Sequence, residues 1–163
     1  MIRRPLILLA FLLVLAGCAL SRREPLEQRT TQGPTADDFW KATVVAQNGR
    51  EPNFEEKRHW ESDINERIAK YLREHPNAAN DLEVSTFRFL HQVSVGMDKE
   101  QVQILLGPPA AVSTSAPDIE KVARKYWPQI KDHANEAWAY PFGWVLYFSG
   151  PRLVDITQYI PGT

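Results

Sequence analysis

Val95-Gly96-Met97-Asp98-Lys99-Glu100-Gln101-Val102-Gln103-Ile104-Leu105-Leu106-Gly107-Pro108-Pro109 spells one short helix with both ends written into the sequence. Asp98 is the expected N-cap, and Gln101, three residues on, can return a hydrogen bond to the cap amide. Met97 and Val102 have the spacing of a hydrophobic staple. Val102, Leu105 and Leu106 form an apolar stripe at i, i+3 and i+4. Gly107 is expected as the left-handed C-terminal residue, and Pro108 and Pro109 forbid continuation. Gly96 marks a tight turn or a close backbone approach. No side chain of the stretch stands in an evident catalytic arrangement. The element is architectural.

Downstream, Ala110 to Ser113 can enter a strand, and Ala116-Pro117-Asp118 opens an extra helix over 118–127. Its residues Ile119, Val122, Ala123, Tyr126 and Trp127 recur at helical spacing, and Pro128 is expected to end it. That stripe either packs on the core or faces a partner with Tyr126 and Trp127 as aromatic anchors. The C-terminus is β in character. Trp138 and Tyr140 share one face of a strand. Trp144, Leu146 and Phe148 alternate with Val145, Tyr147 and Ser149, and Val154, Ile156 and Ile160 alternate with Asp155, Thr157 and Tyr159. Pro141-Phe142-Gly143 and Ser149-Gly150-Pro151 supply turns, so an antiparallel meander is expected.

Upstream, Asn53 and Glu56 predict a capping box for a helix. It carries Trp60, Ile64, Ile68, Tyr71 and Leu72 on one face and ends at His75-Pro76. A second helix is expected from near Asn77, with Leu82, Thr86, Phe89, Leu90 and Val93 at helical spacing. The link between them allows only an antiparallel or sharply angled pair. Helices followed by strands predict an α+β, two-layer domain. Its helices lie on one face of a three-stranded antiparallel sheet, with the extra helix inserted before the last strands.

The first twenty residues address the chain. Arg3 and Arg4 precede Leu6 to Leu15, ten apolar residues in a row, too few for a spanning helix but suited to a signal-peptide core. Leu15-Ala16-Gly17-Cys18 resembles the bacterial lipobox. That resemblance implies cleavage after Gly17, an S-diacylglycerol and N-palmitoyl group on Cys18, and attachment to a membrane without insertion. Ala19 after the cysteine resembles an outer-membrane address. The expected organisation is a signal peptide over 1–17, a flexible tether over 18–52, and an α+β domain over 53–163 with an N-terminal helical extension at 53–75. In the tether, Phe39-Trp40 either docks on the domain or binds a partner.

The chain is 44% hydrophobic with a net charge of −1 and has one cysteine, which excludes an internal disulfide. Removing Met1 to Gly17 takes away two arginines and no acid, so 19 basic residues become 17 against 20 acidic ones, a net −3. A mildly acidic chain has no electrostatic reason to adhere to anionic lipid headgroups, so the expected anchor is the acyl chains. The absence of a basic excess speaks against nucleic acid. His59, His75, His91 and His133 are scattered without metal-ligand spacing, and no GxSxG or phosphate-binding loop occurs. No cofactor, metal or catalytic residue is expected.

Gly96, Asp98, Val102, Leu106, Gly107, Pro108, Trp138, Tyr140 and Phe148, in that order, resemble the motif of the SmpA/OmlA domain, found in small BamE-like outer-membrane lipoproteins. The resemblance covers roughly Val93 to Tyr159. It implies two helices packed on a three-stranded antiparallel sheet. It also implies a non-enzymatic accessory or scaffold role, through an envelope protein partner, in outer-membrane β-barrel assembly or envelope integrity. The extra helix before Trp138 and the long helix from Asn53 depart from the family pattern. A related fold occurs in β-lactamase-inhibitor proteins, so the alternative is a membrane-tethered inhibitor or sensor domain that binds an envelope enzyme.

Overall fold

Strand β6 (Trp144–Ser149) has apolar side chains on both faces, and Leu146, Tyr147 and Phe148 are all fully buried. A strand of that kind needs cover above and below. The structure, a computed structural model, describes residues 24–81 and 84–162, without side chains at 79 and 80. Met1 to Arg23, and with them the signal peptide, the lipobox and Cys18, lie outside the described residues, as does Leu82.

In chain order the elements are β1 (Leu26–Thr30), β2 (Gln32–Thr35), α1 (Ala36–Asn48), α2 (Phe54–Glu74), β3 (Gln92–Ser94), α3 (Lys99–Leu106), β4 (Ala111–Ser113), α4 (Ala116–Ala123), α5 (Trp127–Ile130), β5 (Glu136–Ala139), β6 and β7 (Arg152–Ile160). Residues Glu27–Tyr159 form one unit; the described residues outside it are 24–26 and 160–162. The mixed α+β class holds. Its sheet is wider than expected, with order β1-β7-β6-β5-β4 in place of three strands, and β2 pairs with β3 separately. Antiparallel register runs Val112↔Trp138, Trp138↔Leu146 and Leu146↔Ile156.

Helices cover both faces of this sheet instead of one. On one face Trp138, Tyr140, Leu146, Phe148 and Ile156 pack with Ile64, Ile68 and Tyr71 of α2 and Val102 and Leu105 of α3. On the other, Ala137 and Tyr147 pack with Ile119 and Ala123 of α4 and Ile130 of α5. The reason is the second apolar set of the alternation, Val145 and Tyr147, which cannot be left in water. An irregularity between Tyr147 and Phe148 in the β6–β7 register breaks the expected alternation of β7. Val154 therefore packs with the second core and Ile156 with the first.

The segment expected as a flexible tether over 18–52 is, in its described part, two strands and a helix. Gly33 lets β2 approach β3 closely, since a Cβ there would lie 3.1 Å from Val93 Cβ. The helix expected from Asn77 is also replaced. A 3-10 turn (Pro76–Asn80) and a π-helical turn (Thr86–Leu90) lead to His91 at φ 48 and into β3. Phe87 is buried there, while Phe89 and Leu90 are exposed. The extra helix breaks at Arg124, whose φ of 54 ends α4 at Ala123. Pro128 does not stop a helix; it sits in the first turn of α5, where a missing N–H is tolerated.

Helix α3 has the expected reciprocal box. Asp98 accepts from Gln101 N at 2.8 Å, and Asp98 N donates to Gln101 Oε1 at 2.9 Å. Met97 and Val102 are both fully buried. Gly107 has the positive φ expected but an extended ψ of −167, so it turns the chain straight into Pro108 without a left-handed cap. Gly96 at φ 101 makes the close approach: its N–H donates to Leu153 O at 2.8 Å, and its carbonyl accepts from Arg152.

Candidate functional site: an aromatic groove between α1 and α2

Cap chemistry sets α1 beside α2. Thr35 caps α1 by accepting from Asp38 N at 3.1 Å, and Gly49 ends it in the left-handed conformation at φ 67. Four residues later Asn53 and Glu56 form the second reciprocal box of the chain. Arg50 closes the turn with two bonds to the Glu56 carboxylate, at 2.8 and 2.7 Å. That guanidinium, aided by the Asn53 amide, holds the Glu56 carboxyl down at about 2.

Phe39 and Trp40 are consecutive on α1, about 100° apart around the helix, and they diverge. Phe39 turns inward and meets Tyr140 and Phe142 edge-on at 6.0 and 5.7 Å. Trp40 stacks on Trp60 of α2 at 5.0 Å between ring centroids, with 14° between planes. The stack forms part of the wall of a groove of about 550 Å³ lined by Trp40, Val44, Asn48, Glu55, Glu56, His59, Trp60 and Asp63. The spacing explains the lining. Trp40, Val44 and Asn48 are one turn apart on α1, and Glu56, His59, Trp60 and Asp63 follow i, i+3, i+4 and i+7 on α2. The lining carries three carboxylates and, among the described residues, no lysine or arginine.

The other candidate partner residues lie elsewhere. Tyr126 donates its hydroxyl to Glu27 O at 3.0 Å, and Trp127 packs half-buried against the second core. Of Phe39, Trp40, Tyr126 and Trp127, only Trp40 lines the groove. The motif residues are architectural. Tyr140 Oη donates to Gly107 O at 3.0 Å, tying the Leu-Gly-Pro corner to the end of β5. Burial raises the Tyr140 phenol, which stays a donor at neutral pH. Trp138 and Phe148 meet at 4.6 Å beneath Lys99, whose ammonium lies 5.7 and 5.5 Å from the two rings.

A half-buried polar lock joins β1 to β7. Arg29 donates Nε and Nη2 to the Asp155 carboxylate at 2.9 and 2.7 Å, and His133 Nε2 lies 3.3 Å from the same group. The Asp155 side chain is only 3% exposed. Its hydrogen bond raises the Arg29 guanidinium above its ordinary value, against desolvation.

Trp60 was legible as a core-facing helical residue, but its pairing with Trp40 across the turn was not. Among the described residues no group of three or more His, Cys, Asp or Glu side chains could hold a metal, and no helix is long and apolar enough to cross a membrane. Comparison with protein-family models, curated proteins and solved structures returns no match.

Proposed function

We propose that this chain is a non-enzymatic lipoprotein of the outer membrane, facing the periplasm, anchored through lipidated Cys18. Its role is accessory or scaffolding, in outer-membrane β-barrel assembly or envelope integrity, through protein–protein binding. The observation that carries the proposal is Arg3-Arg4 followed by the apolar run and Leu15-Ala16-Gly17-Cys18. The SmpA/OmlA-like unit is taken to be α3 with β5, β6 and β7, to which β1, β4, α4, α5 and the long helix α2 are additions. Supporting that assignment, the motif residues meet: Tyr140 bonds to Gly107, and Trp138 packs on Phe148. The binding surface is assigned to the α1–α2 groove, where apolar rings stand beside polar side chains, a composition common in recognition sites.

Affinity capture of the full lipidated protein from envelope extracts tests the role. Recovery of the barrel-assembly core is the expected result. Recovery of a hydrolase or signalling receptor alone would replace this role with the tethered inhibitor or sensor.

A further inference from the structure

We propose that the α1–α2 groove receives an extended, arginine-bearing segment of a partner protein, with a guanidinium lying against Trp40 and pairing with Asp63. The inference rests on the binding-protein proposal and specifies the chemistry of the partner. Three observations support it.

The first is charge. Glu55, Glu56 and Asp63 line the groove, and no lysine or arginine among the described residues does. Glu55 is met by Arg58 through a solvent-exposed pair, and Glu56 is held by two bonds from Arg50 and by the Asn53 amide, both from outside the lining. The Asp63 carboxylate has no hydrogen bond or ion pair among the described residues; Arg67, one turn on, directs its Nε to the Asp63 carbonyl instead. An arriving cation therefore meets one uncommitted carboxylate, Asp63, beside two that are already paired.

The second is the wall. The stacked Trp40–Trp60 pair gives the groove a half-buried indole surface. A planar, weakly hydrated guanidinium lies on such a surface better than a compact ammonium does. The third is reach. Trp40 to Asn48 spans eight residue steps of helix, roughly 12 Å at 1.5 Å each. That length matches about three to four residues of extended chain, more than a lone small cation would need.

The test uses the full chain with hexa-arginine and hexa-citrulline peptides, which differ in charge but little in shape, read by tryptophan fluorescence and anisotropy. Hexa-arginine is expected to bind about tenfold more tightly than hexa-citrulline. Asp63→Asn should weaken hexa-arginine about fivefold, while Glu120→Gln, an equal charge change on the exposed face of α4, should leave it unchanged. Equal affinity for the two peptides would overturn the proposal, as would equal losses in the two variants. So would binding of tri-N-acetylglucosamine at the tryptophans in the absence of hexa-arginine binding. A benzophenone side chain in place of Val44, used in cells, separates this inference from the broader one. A crosslinked partner segment carrying arginine supports both. A crosslinked segment without basic residues overturns the arginine proposal and leaves the binding role standing. The absence of any crosslinked protein contradicts both.

Discussion

At Gly143 the backbone turns with φ +77, and a Cβ built there would lie 1.7 Å from the Tyr159 carbonyl oxygen, so any side chain both strains the turn and forces β7 away. Gly143→Ala should cost about 2–4 kcal/mol in denaturant unfolding. Gly49 has a similar φ of +67 but open space around its Cβ position, so Gly49→Ala should cost only about 1 kcal/mol. Equal losses at the two sites would show that contact with Tyr159 is not what constrains Gly143. Glu56 carries a pH dependence whose sign follows from its pairing. Its folded value, about 2, is below the ordinary 4.5, so the stabilisation is present above about 4.5 and is lost as pH falls toward 2. Glu56→Gln keeps a side chain able to cap α2 but removes the charge. The stability gap between the native protein and this variant should therefore narrow as pH drops through that window. A gap that stays constant with pH would show that Arg50 contributes nothing through charge.

Helices α2 and α3 were legible because their signals are local: a cap and its box partner three residues apart, an apolar stripe, and a proline or glycine stop. The chain between Leu26 and Asn48 was not, because its attachments are long-range: polar for β1 and aromatic for α1. No residue of β1 is buried, and beyond its sheet pairing its hold on β7 runs through Gln28–Gln158 and through Arg29 and Asp155, 126 positions apart. No periodicity records such a pair. The same holds at Arg124, where the apolar spacing of Ile119 to Trp127 continues through a residue whose backbone has left the helix. Conversely, Phe89 and Leu90 have helical spacing but stand exposed, while Phe87 takes the buried place. A strand fastened by polar bonds and little apolar burial should open by itself. Arg29→Ala is expected to speed amide exchange in β1 while β6 and α2 stay protected. Uniform acceleration across the domain would mean that β1 belongs to the cooperative core. Arg29→Ala should cost more than Asp155→Asn, roughly 2–3 kcal/mol, because it strands a buried carboxylate, whereas Asp155→Asn removes that charge and leaves the half-exposed Arg29 to water.

For the whole molecule, the consequential departure is the sheet. Three strands with helices on one face follow from counting the last three strands and treating Val145 and Tyr147 as the outer face. Tyr147 is fully buried, and α4 and α5 cover that face, so the helix read as an insertion builds a second core. This places Trp127 in packing. The groove is left to Trp40 and Trp60, on the far side of a turn that sequence spacing does not bridge. Binding at a membrane surface would need the chain to be held there, and the lipid on Cys18 is the proposed means. Cys18→Ser, followed by separation of inner-membrane, outer-membrane and soluble fractions, tests this most directly. Loss of the protein from the outer membrane, together with loss of palmitate labelling, is the expected result. Continued co-fractionation of the variant with the outer membrane would contradict the anchor, and with it the proposal that this is a lipid-tethered binding protein.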